Sequence, residues 1–141
     1  MRVINHLVYS STASEEHKPA LMESILEASV RNNKKVEVTG LLLYRFGHFI
    51  QLLEGEINDV TSVYNRVSKD KRHSKIQIIS QFQTNSRLFA TWNMGCIRNK
   101  DVVAKISQHL LSLLTNPLPP SQENKNQIIE LFSKINSNDI T

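Results

Sequence analysis

The chain has 141 residues, of which 40% are hydrophobic and 21% charged, and a net charge of +4; this is the profile of one globular domain with its own core. Its single cysteine, Cys96, excludes an internal disulfide, and without Cys/His clusters a structural zinc site has no ligand set. No apolar run reaches the roughly 20 residues of a membrane span, and the start Met1-Arg2-Val3-Ile4-Asn5-His6 lacks a signal peptide's apolar stretch, so a cytoplasmic location is expected.

Val3 to Tyr9 reads as a first strand, followed by a polar turn over Ser10 to Ser14. A helix is predicted from Pro19 to Asn32. Pro19 suits its first turn, and Leu21, Ile25, Ala28 and Asn32 share one face. Asn32-Asn33 is expected to close it, because asparagine tolerates the left-handed conformation. Val38 to Tyr44 and His48 to Leu53 form a hairpin turning at Arg45-Phe46-Gly47. Both strands are apolar on both faces, so both faces must be covered. Ile57, Val60, Val63, Tyr64 and Val67 mark a second amphipathic helix. Ile76 to Gln83 alternates as a fourth strand, and Met94 to Ile97 makes a short fifth.

The order β-α-β-β-α-β-β is that of a ferredoxin-like α+β sheet. Two helices cover one face. Two further amphipathic helices, around Val102 to Leu114 and Ile128 to Ile135, are available for the other, separated by Asn116-Pro117-Leu118-Pro119-Pro120. The expected division is a domain over residues 1–98 and a two-helix extension over 99–141 packed on its sheet.

Several chemistries find no support. The four glycines are isolated, so neither common phosphate loop is present, and no Gly-x-Ser-x-Gly elbow occurs. His6, His17, His48, His73 and His109 are scattered, and no nucleophile–base set stands out.

A few residues sit oddly in a plain core. Gln51 interrupts the apolar strand Phe49-Ile50-Leu52-Leu53, and the topology puts it beside the first strand, which ends in Tyr9. An unpaired buried amide would cost about 1–3 kcal/mol. Gln51 therefore pairs with backbone or Tyr9 for structure alone, or the two form a polar pair aimed at a ligand. Asn33 is either a cap or an amide offered to a heterocycle, with Ser29 one turn before it. Trp92 is either a core anchor or part of a site. Asp70-Lys71-Arg72-His73 is either a solvated helix end or an anion site.

Taken in order, Leu7-Val8-Tyr9-Ser10-Ser11, Ile25-Leu26-Glu27-Ala28-Ser29, Arg31-Asn32-Asn33, Val38-Thr39-Gly40-Leu41-Leu42, Phe49 to Gly55, Asp70 to His73 and Trp92-Asn93-Met94 resemble the blue-light-using flavin (BLUF) domain family. The resemblance runs from about Val3 to about Ile97, and the tail is similar to that of short stand-alone members. It implies a photoreceptor, not an enzyme, holding FAD without a covalent bond, with FMN as the alternative. Tyr9 and Gln51 would form the hydrogen-bonded pair beside the flavin ring. Asn33, with Asn32 nearby, would bind its polar edge, and Ile25, Ser29 and Val67 would flank it. Asp70, Arg72 and His73 would hold the ribityl and phosphate part, while Trp92 and Met94 would be the mobile pair reporting the flavin's state. Tyr9 would lose an electron and then a proton on excitation, and Gln51 would pass that proton and end rotated or tautomerised. The implied partners are an unidentified downstream signalling protein and other copies of the chain.

Two other readings stand beside this one. A nucleic-acid-binding ferredoxin-like module would use the basic run from Arg66 to Lys75, with Tyr44 and Phe49 as its stacking aromatics. A small hydrolase would bind phosphate through Arg72 and Asn33, without an obvious nucleophile or base.

Overall fold

A computed structural model describes residues 3–14, 19–115 and 122–141. His17 and the Asn116–Pro120 break lie outside these residues. The elements are β1 (Ile4–Ala13), α1 (Pro19–Lys35), β2 (Thr39–Arg45), β3 (His48–Gly55), α2 (Ile57–Ser68), β4 (His73–Thr84), β5 (Gly95–Cys96), α3 (Lys100–Thr115) and α4 (Gln122–Ser133). The sheet order is β4-β1-β3-β2-β5. Antiparallel pairing joins the first four strands, and β5 adds to β2 in parallel. The α+β, ferredoxin-like sheet expected from the sequence is present.

β1, β2 and β3 are buried on both faces because two separate cores sandwich them, whereas the edge strand β4 stays largely exposed. Leu7, Tyr9, Leu42, Phe49 and Leu53 face Ile25 of α1 and Val60 and Val63 of α2. Val8, Leu41, Leu43, Ile50 and Leu52 face Val103, Ile106 and Leu110 of α3 and Ile128 and Phe132 of α4. Successive strand residues alternate between the two cores, as the pleat requires. Asn99 starts α3 by accepting hydrogen bonds from the Asp101 and Val102 amides through its side-chain oxygen.

Besides β3 running on to Gly55 and β4 starting at His73, three boundaries differ from the sequence reading in ways that shape the site. First, Ser10 to Ala13 do not form a turn but continue β1. They lie between β3 and β4 and pair with both, and this two-sided pairing overrides the polar composition. Second, α1 runs past Asn32-Asn33 to Lys35, and the left-handed residue that follows it is Glu37, at φ 55°. Asn33 stays helical, with its carbonyl accepting from the Val36 and Val38 amides. Third, β5 is only two residues long. Its neighbour Ile97 bridges Ile140, and Cys96 exchanges backbone bonds with Thr141.

Glycine matters at two places. The β2–β3 connection is a two-residue turn, Phe46 at φ 50° and Gly47 at φ 80°, the geometry whose twist matches paired strands. At Gly40 a Cβ would lie 1.8 Å from the Leu52 carbonyl oxygen, so no side chain fits between β2 and β3 there.

Candidate functional site

The face of α1 that meets α2 carries Ile25, Ala28, Ser29, Asn32 and Asn33, at the spacing of one helical stripe. Val63, Arg66 and Val67 stand opposite on α2. Gln51 of β3 lies between the two helices, and Asp70, Arg72 and His73 complete the lining. These residues line a narrow cleft of about 50 Å³ that opens to solvent. Ile25 and Ala28 of α1 and Val63 and Val67 of α2 supply its apolar surface, while Ser29, Asn32 and Asn33 of α1, Gln51 of β3 and the group from Arg66 to His73 supply its polar atoms.

Beneath the cleft, Tyr9 is fully buried and in register with Gln51 across the β1–β3 ladder. Side chains at directly opposed positions share a face, so the phenol reaches the amide and donates to Gln51 Oε1. Burial, and secondarily the neighbouring Tyr64, push the Tyr9 phenol far above its ordinary pKa. Its proton is therefore retained as the donor of this bond. The Tyr64 ring meets Tyr9 edge-on at 5.3 Å. A bulge in the β1–β4 pairing falls between Val8 and Tyr9, where bulges commonly re-aim a side chain.

With Oε1 engaged, the Gln51 Nε2 donor has no acceptor among the described residues, although Gln51 is 2% exposed. Asn33 is 1% exposed and donates through Nδ2 to the Asn93 carbonyl at 2.9 Å. Its Oδ1 accepts from no described residue. Two buried amides thus line the cleft with unmatched polar atoms, one a donor and one an acceptor.

Around the cleft's cationic part, Arg72 donates from Nε and Nη2 to the Asp70 carboxylate and from Nη1 to Ser24 at 2.8 Å. The Arg72 guanidinium holds the Asp70 carboxyl below the usual carboxylate range. His73 is buried, with Nδ1 2.7 Å from Ser11 Oγ and Nε2 2.7 Å from the Val67 carbonyl. A carbonyl only accepts, so Nε2 carries the proton. His73 thereby ties the end of α2 to β1. Arg66 forms no ion pair with a described residue.

The expected site residues divide into three groups. Ile25, Ser29, Asn32, Asn33, Gln51, Val67, Asp70, Arg72 and His73 converge on the cleft. Tyr9 and Met94 lie in the buried cluster beside it, Tyr9 joined to the cleft by Gln51. Trp92 packs against the opposite cluster, on the α3/α4 side of the sheet. Sequence reading missed Ala28, Val63 and Arg66 as lining residues. Helical spacing already puts Ala28 on the face of Ile25 and Asn32, and Val63 on the helix face of Val67, but neither residue type signals a ligand. Phe49 is 1% exposed and Tyr44 packs against it at 4.9 Å, so neither offers the open stacking surface that a nucleic-acid-binding sheet needs.

Residues 4–95 match a family model described as sensors of blue-light using FAD. The chain belongs to the BLUF family. It is 26% identical over 116 residues to the photoactivated adenylate cyclase subunit beta of Euglena longa, covering 81% of this chain and 12% of the cyclase subunit. It is 32% identical over 74 residues to the blue light- and temperature-regulated antirepressor BluF of Escherichia coli (strain K12), covering 52% of this chain and 18% of BluF. The chain therefore spans under a fifth of the length of these two relatives. Among solved structures, it is similar to the dark state of BlrB, a BLUF protein, with a TM-score of 0.74 and 25% identity over 94% of this chain and 97% of BlrB. It shares its fold with the photo-activated state of BlsA at a TM-score of 0.72. The chemistry of this lining suits a flavin: Ile25, Ala28, Val63 and Val67 offer apolar contact to a flat ring, the unmatched Gln51 and Asn33 amides suit its polar edge, and Arg66 and Arg72 suit its anionic tail.

Proposed function

We propose that this chain senses blue light through FAD held in the cleft between α1 and α2, with Tyr9 and Gln51 as the photoactive pair. The observation that carries this reading is the buried phenol–amide bond whose far end leaves a donor unmatched at the cleft. The flavin, when bound, supplies visible absorption and, once excited, oxidising power.

Ile25, Val63 and Val67 exclude water and hold a planar ring between the two helices. Asn33, with Asn32 beside it, meets the ring's polar edge, and Ser29 flanks it. Asp70, Arg72 and His73 hold the ribityl and phosphate part. With a bound, excited flavin as the electron acceptor, Tyr9 would give up an electron and pass its phenolic proton along the existing bond to Gln51 Oε1. The amide both accepts and donates, so it relays a proton toward the cleft through Nε2. When electron and proton return to Tyr9, Gln51 is left rotated or tautomerised. It then presents a different hydrogen bond to the cleft, and Met94, in the same buried cluster as Tyr9, and Trp92, across the sheet, respond to the change.

The output is a change of contact with another protein rather than catalysis by this chain. The antirepressor among the relatives supports a protein partner, and the cytoplasm is the proposed place of the exchange. Residues 99–141 act as an extension through which the change reaches that partner or another copy of the chain. No helix among the described residues is long and apolar enough to cross a membrane.

Denaturing the purified protein and identifying the released cofactor tests the binding half of this reading. FAD in near-equal amount to protein is expected. A protein that releases no flavin, and takes up neither FAD nor FMN when reconstituted, would overturn it.

A further inference from the structure

Among the described residues outside the cleft, Glu54 is the most heavily engaged buried side chain. Its carboxylate accepts from Thr39 Oγ1 at 2.9 Å, from the Phe89 amide at 2.7 Å and from the Leu88 amide at 2.8 Å, and His6 Nδ1 stands 3.2 Å from it. Both the Glu54 and His6 side chains are wholly shielded from solvent. Leu88 and Phe89 belong to the segment joining β4 to β5. Their amides lie outside any strand or helix, so the carboxylate supplies acceptors that no ladder provides. Arg87 reinforces the attachment by donating to the Glu54 carbonyl and to Thr39 Oγ1.

Glu54 lies three residues beyond Gln51 on β3, an odd separation that puts the two side chains on opposite faces. Gln51 addresses the cleft, whereas Glu54 addresses the α3/α4 core. There the Phe89 ring, which Glu54 fixes through its backbone, meets Phe132 of α4 edge-on at 6.1 Å. One strand thus carries an amide at the cleft and a carboxylate that holds an aromatic ring against the tail.

We propose that Glu54 is a positioning residue that couples the Gln51 segment of β3 to α4 by clamping Phe89 against Phe132. The coupling rests on the photoreceptor reading, because it needs a light-driven change at Gln51. It passes through contiguous packed and hydrogen-bonded groups, and its demonstration requires perturbing the link while both ends stay intact.

The test is amide exchange of the flavin-loaded protein, in darkness and under continuous blue light, for the wild type and Glu54→Gln. Glutamine keeps the shape but turns an NH₂ toward backbone donors. In darkness the Leu88 and Phe89 amides of the variant should exchange about tenfold faster, equivalent to about 1.4 kcal/mol. In the wild type, light should change exchange in α4 around Ile128 and Phe132. In Glu54→Gln the spectral response should persist while the α4 change is lost. Where Glu54→Gln fails to fold, Thr39→Val decides, since it removes one donor to the carboxylate; it should weaken the α4 response, and Thr39→Ser should restore it. A folded variant that keeps its spectral response and the full α4 change overturns the clamp. A flavin-loaded wild type without any spectral response instead overturns the photoreceptor reading, and the coupling with it.

Discussion

Tyr9 and Gln51 stand opposite each other on β1 and β3, and the phenol donates to the amide oxygen in a fully buried contact. Tyr9→Phe keeps the ring and removes the donor. Gln51 Oε1 then lies buried without a partner, a loss of about 1–3 kcal/mol in stability. The variant should still bind flavin and should show no light-induced shift. Gln51→Leu removes the relay itself and should likewise bind flavin without photochemistry. Absorbance of both variants before and after illumination is the check; a normal shift in either removes that residue from the mechanism.

The cleft can be closed without touching that pair. Ala28 lines it from α1, and Ala28→Trp would place an indole where the ring is proposed to lie. The variant should give a far-ultraviolet circular dichroism spectrum like the wild type's and should be colourless. A yellow Ala28→Trp protein with ordinary affinity would move the flavin elsewhere.

Acid should loosen the molecule through Glu54. Burial alone would raise its pKa, but the His6 ring beside it and hydrogen bonds from the Leu88 and Phe89 amides and Thr39 outweigh this and hold it below its ordinary 4.5. The folded state then binds this proton more weakly than the unfolded chain does. The resulting stability is complete above the ordinary value and is lost as pH falls through the lowered one. Urea midpoints measured downward from pH 6 should fall below about pH 4.5. Glu54→Gln should be less stable at pH 6 and should show a shallower decline; parallel slopes for the two proteins would remove Glu54 as the titrating group.

The site was more legible than the boundaries around it. Helical spacing put Ile25, Ala28 and Asn32 on one face, and the interruption of an apolar strand singled out Gln51, because both signals are local. Ser10 to Ala13 misled because their strand character comes from two neighbouring strands, not from their own composition. The α1 end was placed early because Asn33, a good cap by type, is buried in the helix and bonded to Asn93. Glu54 gave no signal of its clamp. Its partners Leu88 and Phe89 act through backbone amides, which any residue type carries. The separation of Trp92 and Met94 onto opposite faces also depends on the short pairing of β5 with β2, which two residues of sequence cannot specify.

The most direct measurement is a light-minus-dark absorbance spectrum of the flavin-loaded protein. A small shift of the flavin bands to longer wavelength that reverses in darkness, without bleaching, is the predicted result. Bands that stay unmoved under blue light, or that bleach as the flavin is reduced, would contradict the account.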